Sequence, residues 1–78
     1  MKILSERLSP TDDNTLISVI VEYNNRLFKI IGSPIRLFVW SGFNGWLYID
    51  NGDSKQTTNE TINQFTNIME TFTNEKEN

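Results

Sequence analysis

The sequence predicts an α+β fold, a four-stranded antiparallel meander followed by one C-terminal helix packed on one face of the sheet. Three observations predict it. Between Thr15 and Asp50 the chain is a series of short runs rich in β-branched and aromatic residues. The breaks between those runs are short and built from Asn, Gly, Ser and Pro. After Thr57 the apolar spacing changes from two to three and four, the period of a helix. At 78 residues the chain is expected to be a single small ββββα domain over residues 1–78.

In chain order, Met1 to Leu8 leaves two readings open, a short strand or an irregular arm, and is not counted among the four strands. Ser9 to Asn14 is a cluster of turn formers. Thr15 to Tyr23 reads as the first strand: Ile17, Val19, Val21 and Tyr23 share one face, and Leu16, Ser18, Ile20 and Glu22 the other. Asn24-Asn25 is a two-residue turn, because Asn tolerates positive φ better than other non-glycine residues. Arg26 to Ile31 returns as the second strand, and Gly32-Ser33-Pro34 ends it. Ile35 to Trp40 and Trp46 to Asp50 form the third and fourth. Asn44-Gly45 between them is the preferred pair for a type I′ turn, and Ser41-Gly42 suggests a bulge. Asp50 to Ser54 is a polar loop. Thr57-Thr58-Asn59-Glu60 reads as a capping box. The helix after it carries a stripe of Ile62, Phe65, Met69 and Phe72, widened by Ile68, and the tail from Asn74 is expected to fray.

Composition excludes much chemistry. The chain has no cysteine and no histidine, so it lacks thiolate and imidazole nucleophiles, bases and metal ligands. Serine has no histidine to activate it. The carboxylate pairs Asp12/Asp13 and Asp50/Asp53 fall in turn-rich loops, where such side chains bond their own backbone. Counted from Asp50, glycine stands at the third position of a calcium loop and Thr61 at the twelfth, so the EF-hand pattern fails. The expectation is a non-enzymatic protein with no catalytic residue, no metal and no cofactor. No apolar run approaches a membrane span, and the charged start M-K-I-L-S-E-R-L does not read as a signal peptide; the expected location is the cytoplasm of a host cell.

Net charge is −3 and unevenly placed. Residues 1–36 carry five basic and four acidic side chains, residues 37–78 two basic and six acidic. The acidic second half argues against non-specific binding to DNA or to anionic membranes and permits binding to a basic protein groove. The stretch from Ile35 to Asp50 holds Phe38, Trp40, Phe43, Trp46 and Tyr48, five of nine aromatic residues. Phe43 and Trp46 at the hairpin tip either staple the hairpin across the strands or anchor a partner. Phe38, Trp40, Trp46 and Tyr48 either form the core under the helix or offer a stacking surface for single-stranded nucleic acid. In the second case Arg26, Lys29 and Arg36 are the candidate phosphate contacts. By alternation Arg36, Phe38 and Trp40 share a face.

Residues 8–25, L-S-P-T-D-D-N-T and the β-rich run to Asn24-Asn25, resemble one stretch of the small type II-A anti-CRISPR proteins of Gram-positive prophages. Phe43-Asn44-Gly45-Trp46 resembles that family's F-K-N-G-W with one residue fewer. The family's N-terminal helix and its dense acidic run after the tryptophan have no counterpart; Asp50 and Asp53 are the acidic residues at that place. The resemblance implies a phage- or mobile-element-encoded inhibitor that blocks an RNA-guided nuclease by occlusion. The leading expectation is therefore a protein-binding inhibitor whose partner has a basic surface, met by Phe43, Asn44, Trp46, Asp50 and Asp53. The alternatives are a single-stranded nucleic-acid-binding module and a small self-associating structural protein.

Overall fold

Five extended runs and one amphipathic helix produce a two-layer α+β arrangement. The structure is a computed structural model describing residues 1–10, 16–32, 34–52 and 57–77, with helix side chains described through Thr73. Strands β1 (Lys2–Leu8), β2 (Leu16–Tyr23), β3 (Arg26–Ile31), β4 (Arg36–Trp40) and β5 (Trp46–Asn51) form one antiparallel sheet in the order β1-β2-β3-β4-β5. Helix α1 (Thr58–Glu77) lies across β2 and β3.

The sheet has five strands where the sequence predicts four. The additional one is β1, paired with β2 from Lys2↔Glu22 to Leu8↔Leu16. It is illegible by periodicity for a physical reason. Register shifts between Ile3 and Ser5 and between Arg7 and Leu8 break the two-residue alternation. As an edge strand it is exposed from Lys2 to Arg7, so burial imposes no pattern on it.

The β2–β3 turn follows the sequence. Asn24 and Asn25 have φ of 50° and 65°, and Tyr23↔Arg26 closes the ladder on either side. The β4–β5 turn does not. Positive φ occurs at Gly42 and Gly45, both 72°, and Asn44 has none, so the type I′ turn on Asn44-Gly45 is replaced by a wider loop over Ser41–Gly45. Register explains the difference. An Asn44-Gly45 turn would pair Trp40 with Ile49 and Val39 with Asp50, and so part Trp40 from Trp46. The wider loop pairs Val39 with Leu47 and Trp40 with Trp46, and a bulge at Ile49 turns that residue toward the core. Ser41 and Gly42 accordingly belong to this loop.

The core lies between sheet and helix. Val19, Val21, Phe28, Ile30, Leu37 and Val39 point at Ile62, Phe65 and Met69, all buried, with Ile68 and Phe72 packed against them. Leu16, expected on the other face, is also buried; it sits beside the β1 bulge, opposite Leu8. Phe72 meets Phe28 edge to face at 6.2 Å. Gly32 closes β3 because a Cβ there would stand 2.4 Å from the Leu16 carbonyl oxygen.

Helix α1 starts on the capping box: the Glu60 N–H donates to Thr57 Oγ1 at 3.3 Å, and the Thr57 N–H to Glu60 Oε1 at 2.9 Å. The Thr58 hydroxyl donates to the Glu6 carboxylate and ties the helix start to β1. Asn24 Nδ2 donates to Thr73 Oγ1 at 3.0 Å and ties the far end to the β2–β3 turn. Helical backbone continues to Glu77, through the tail expected to fray. The Thr57 backbone and then its hydroxyl hold the Glu60 carboxyl below its usual value. A depressed carboxyl contributes stability above the unfolded-state value and loses it as pH falls through the folded-state one. Glu60→Gln is therefore expected to narrow the difference in melting temperature between pH 7 and pH 3; an unchanged difference would remove the capping box from the account.

Candidate functional site

One helix covers one face. A helix is roughly 10 Å wide, and five strands at about 4.8 Å spacing make a sheet of roughly twice that width. Even the covered face is therefore only partly covered, and Ile3 and Leu47 on its outer strands stay exposed. The opposite face has no described element over it, and its composition follows from the alternation of β2 to β5.

Register places the side chains of that open face in cross-strand rows. One row runs Ser5, Ile20, Lys29, Phe38, Tyr48. Toward the hairpin tip, the next row holds Lys2, Glu22 and Leu27, with the Trp40–Trp46 pair continuing it. On the other side lie Arg7, Ser18, Ile31, Arg36 and Asn51. Rows on one face are two residues apart, roughly 7 Å along the strand. Phe38 and Tyr48 pack edge to face at 5.9 Å, and Trp40 and Trp46 at 5.2 Å. Lys29 Nζ stands 5.4 Å from the Trp46 ring centroid. Trp40 is 41% and Tyr48 56% exposed, and edge-to-face packing leaves ring faces free to stack.

The same face carries a net positive charge. Lys2, Arg7, Lys29 and Arg36 lie on it, and Glu22, opposite Lys2, is the acidic side chain among its described residues. A chain of net charge −3 thus carries a positive aromatic surface. Arg26, grouped with Lys29 and Arg36 by the sequence, lies on the helix side instead, its guanidinium carbon 4.8 Å from the Phe72 ring centroid.

At the hairpin tip Phe43 is fully exposed and does not staple against Trp46, whose partner is Trp40. The loop beneath Phe43 is nevertheless tightly bonded. The Ser41 N–H donates to the Gly45 carbonyl at 2.8 Å. The Ser41 hydroxyl donates to the same oxygen at 3.0 Å and accepts the Asn44 N–H at 3.1 Å. Asp50 is half-buried, opposite Leu37, and its Oδ1 accepts the Asn51 N–H at 2.8 Å. Asp53, Asp12 and Asp13 lie outside the described residues. The structure therefore brings Trp46 together with Phe38, Trp40 and Tyr48. It sets Phe43 and Asn44 at the adjoining tip and places Asp50 four residues along β5. Lys2 and Arg7 escaped sequence reasoning because β1 was not assigned as a strand.

Comparison with family models, curated proteins and solved structures gives no match. What the chain does must be argued from this surface. Among the described residues no three acidic side chains gather as a metal site, and no helix is long and apolar enough to cross a membrane.

Proposed function

We propose that the chain is a non-enzymatic binding protein whose open sheet face holds single-stranded nucleic acid. The observation that carries this reading is the coincidence, on the face away from the helix, of four aromatic rings with Lys29, Arg36, Arg7 and Lys2. Bases stack on aromatic rings whatever their sequence, and cations beside those rings take the phosphates. Flexible single strands can follow the face of a sheet and splay bases onto it. A second copy is a poor occupant, since face-to-face pairing would oppose two surfaces that each carry four cations against the single carboxylate of Glu22.

A fluorescence-polarisation titration of a labelled oligothymidylate tests this reading. Affinity is expected to fall with a log–log salt slope of roughly −2 to −3, the value for three or four phosphates neutralised on a single strand. No binding at low salt would remove the proposal.

Phe43 favours one rival, the protein-binding inhibitor suggested by the anti-CRISPR resemblance. A fully exposed phenylalanine on a hydrogen-bonded loop is built like an interface anchor. Absence of oligonucleotide binding, together with retention of a type II-A nuclease that Phe43→Ala abolishes, would turn the assignment to that reading.

A further inference from the structure

The chain contains two Asn-Gly pairs, Asn44-Gly45 and Asn51-Gly52. Asparagine is chemically labile, most of all before glycine, where no Cβ keeps the next backbone nitrogen from the asparagine side chain. The reaction needs the peptide between the two residues to turn, so the fold decides which pair can react. Both asparagine side chains are exposed. The Asn51-Gly52 peptide is pinned. Asn51 pairs with Arg36 in the sheet, and the Gly52 N–H donates to the Ile35 carbonyl at 2.9 Å. Gly52 also backs onto the Gln64 amide, which a Cβ there would meet at 3.0 Å. The Asn44-Gly45 peptide is held more loosely: its N–H, on Gly45, reaches the Gly42 carbonyl at 3.4 Å, longer than an ordinary hydrogen bond of this kind. The firm bonds of the loop lie on either side of that peptide, the Asn44 N–H on Ser41 Oγ and the Gly45 carbonyl on Ser41. The peptide can therefore turn about its two flanking Cα atoms with the loop still closed. Gly45, at φ of 72° and in open space, has no side chain to resist the motion.

We propose that Asn44 is a site of spontaneous deamidation, and that Asn51, in the same dipeptide, is protected by the fold. The Gly45 nitrogen gives its proton to a solvent base and attacks Asn44 Cγ. A nitrogen–carbon bond forms, the Cγ–Nδ2 bond breaks, and the side-chain nitrogen leaves as ammonia. Water then opens the cyclic imide at either carbonyl and leaves aspartate or isoaspartate at position 44. Either product sets a carboxylate two residues from Trp46, the ring beside Lys29 on the positive surface. Its consequence rests on the reading of that face as a nucleic-acid surface: the modified tip repels phosphates, and binding weakens as the protein ages.

The test incubates the full chain in mildly alkaline buffer and follows each asparagine by peptide mass spectrometry, with a parallel incubation in unfolding urea. In the folded protein Asn44 is expected to react about fivefold or more faster than Asn51, the worth of the hydrogen bond that pins Gly52. In urea the two rates are expected to converge, because both pairs then meet the same local chemistry. Equal rates in the folded protein, or a preference for Asn44 that urea leaves unchanged, would overturn the proposal. The effect on binding is read separately with Asn44→Asp, one of the two products. That variant is expected to bind oligothymidylate about two- to fivefold more weakly than the wild type, the size of one exposed charge interaction, with the difference screened away at high salt. Equal affinity at low salt would overturn the coupling to binding. Absence of oligonucleotide binding by both proteins would remove the sheet-face reading, while the two deamidation rates would still decide the modification.

Discussion

Phe65→Ala is expected to remove a large share of the folding free energy. Phe65 is fully buried in the middle of α1, between Ile62 and Met69, and is among the largest side chains in the layer between helix and sheet. Truncating a buried phenylalanine costs about 3–5 kcal/mol, through lost transfer energy and the cavity left behind. A chain of this length has a total stability of roughly 4–12 kcal/mol. The variant should therefore reach its urea midpoint far below the wild type with an unchanged slope. A loss below about 1 kcal/mol would mean that the helix does not seal this face of the sheet as described.

The second large effect concerns binding. Trp46→Ala is expected to weaken oligonucleotide affinity by about ten- to hundredfold, the range for deleting one base-stacking aromatic. It removes a stacking ring, the packing partner of Trp40 and the ring under Lys29 together. Its effect on stability should be smaller than that of Phe65→Ala, because Trp46 is half-buried at the end of an edge strand and contributes nothing to the layer under the helix. The two substitutions thus separate folding from binding. Trp46→Ala that folds as the wild type and binds oligonucleotide equally well would show that the aromatic surface is not the site.

The same physics decided what could be read from the sequence. The helix was legible in detail, since capping box and apolar stripe are local signals, and Thr57, Glu60, Ile62, Phe65, Met69 and Phe72 occupy the expected roles. Strands β2 to β4 were legible because each alternates against a buried face, and β5 because its aromatic run follows the break after Trp40. β1 was not, because bulges and exposure erase alternation at an edge. The Asn44-Gly45 turn was misread because local turn preference lost to register: pairing Trp40 with Trp46 and Val39 with Leu47 outweighed the best turn dipeptide in the chain.

The proposed binding surface was half legible. Alternation already grouped Arg36, Phe38 and Trp40, but no local signal says which sheet face the helix takes. That choice falls to the side richer in aliphatic residues: Val19, Val21, Ile30, Leu37 and Val39 with Phe28 match the helix stripe. The aromatic face, interleaved with Lys29 and Arg36, is left outside. Charge by sequence halves misled for a related reason. Antiparallel folding gathers Lys2, Arg7, Lys29 and Arg36 from three strands onto one surface, while Glu6, Glu60 and Asp50 lie away from it.

Both tryptophans of the chain, Trp40 and Trp46, stand on the proposed surface, so intrinsic fluorescence reports on the site without any label. Titrating the wild-type protein with an unlabelled oligothymidylate at low salt, and following tryptophan emission, is the most direct test of the central claim. Saturable quenching, reversed by added salt, is the predicted result. Emission that stays constant up to high micromolar oligonucleotide, in protein shown to be folded, would contradict it.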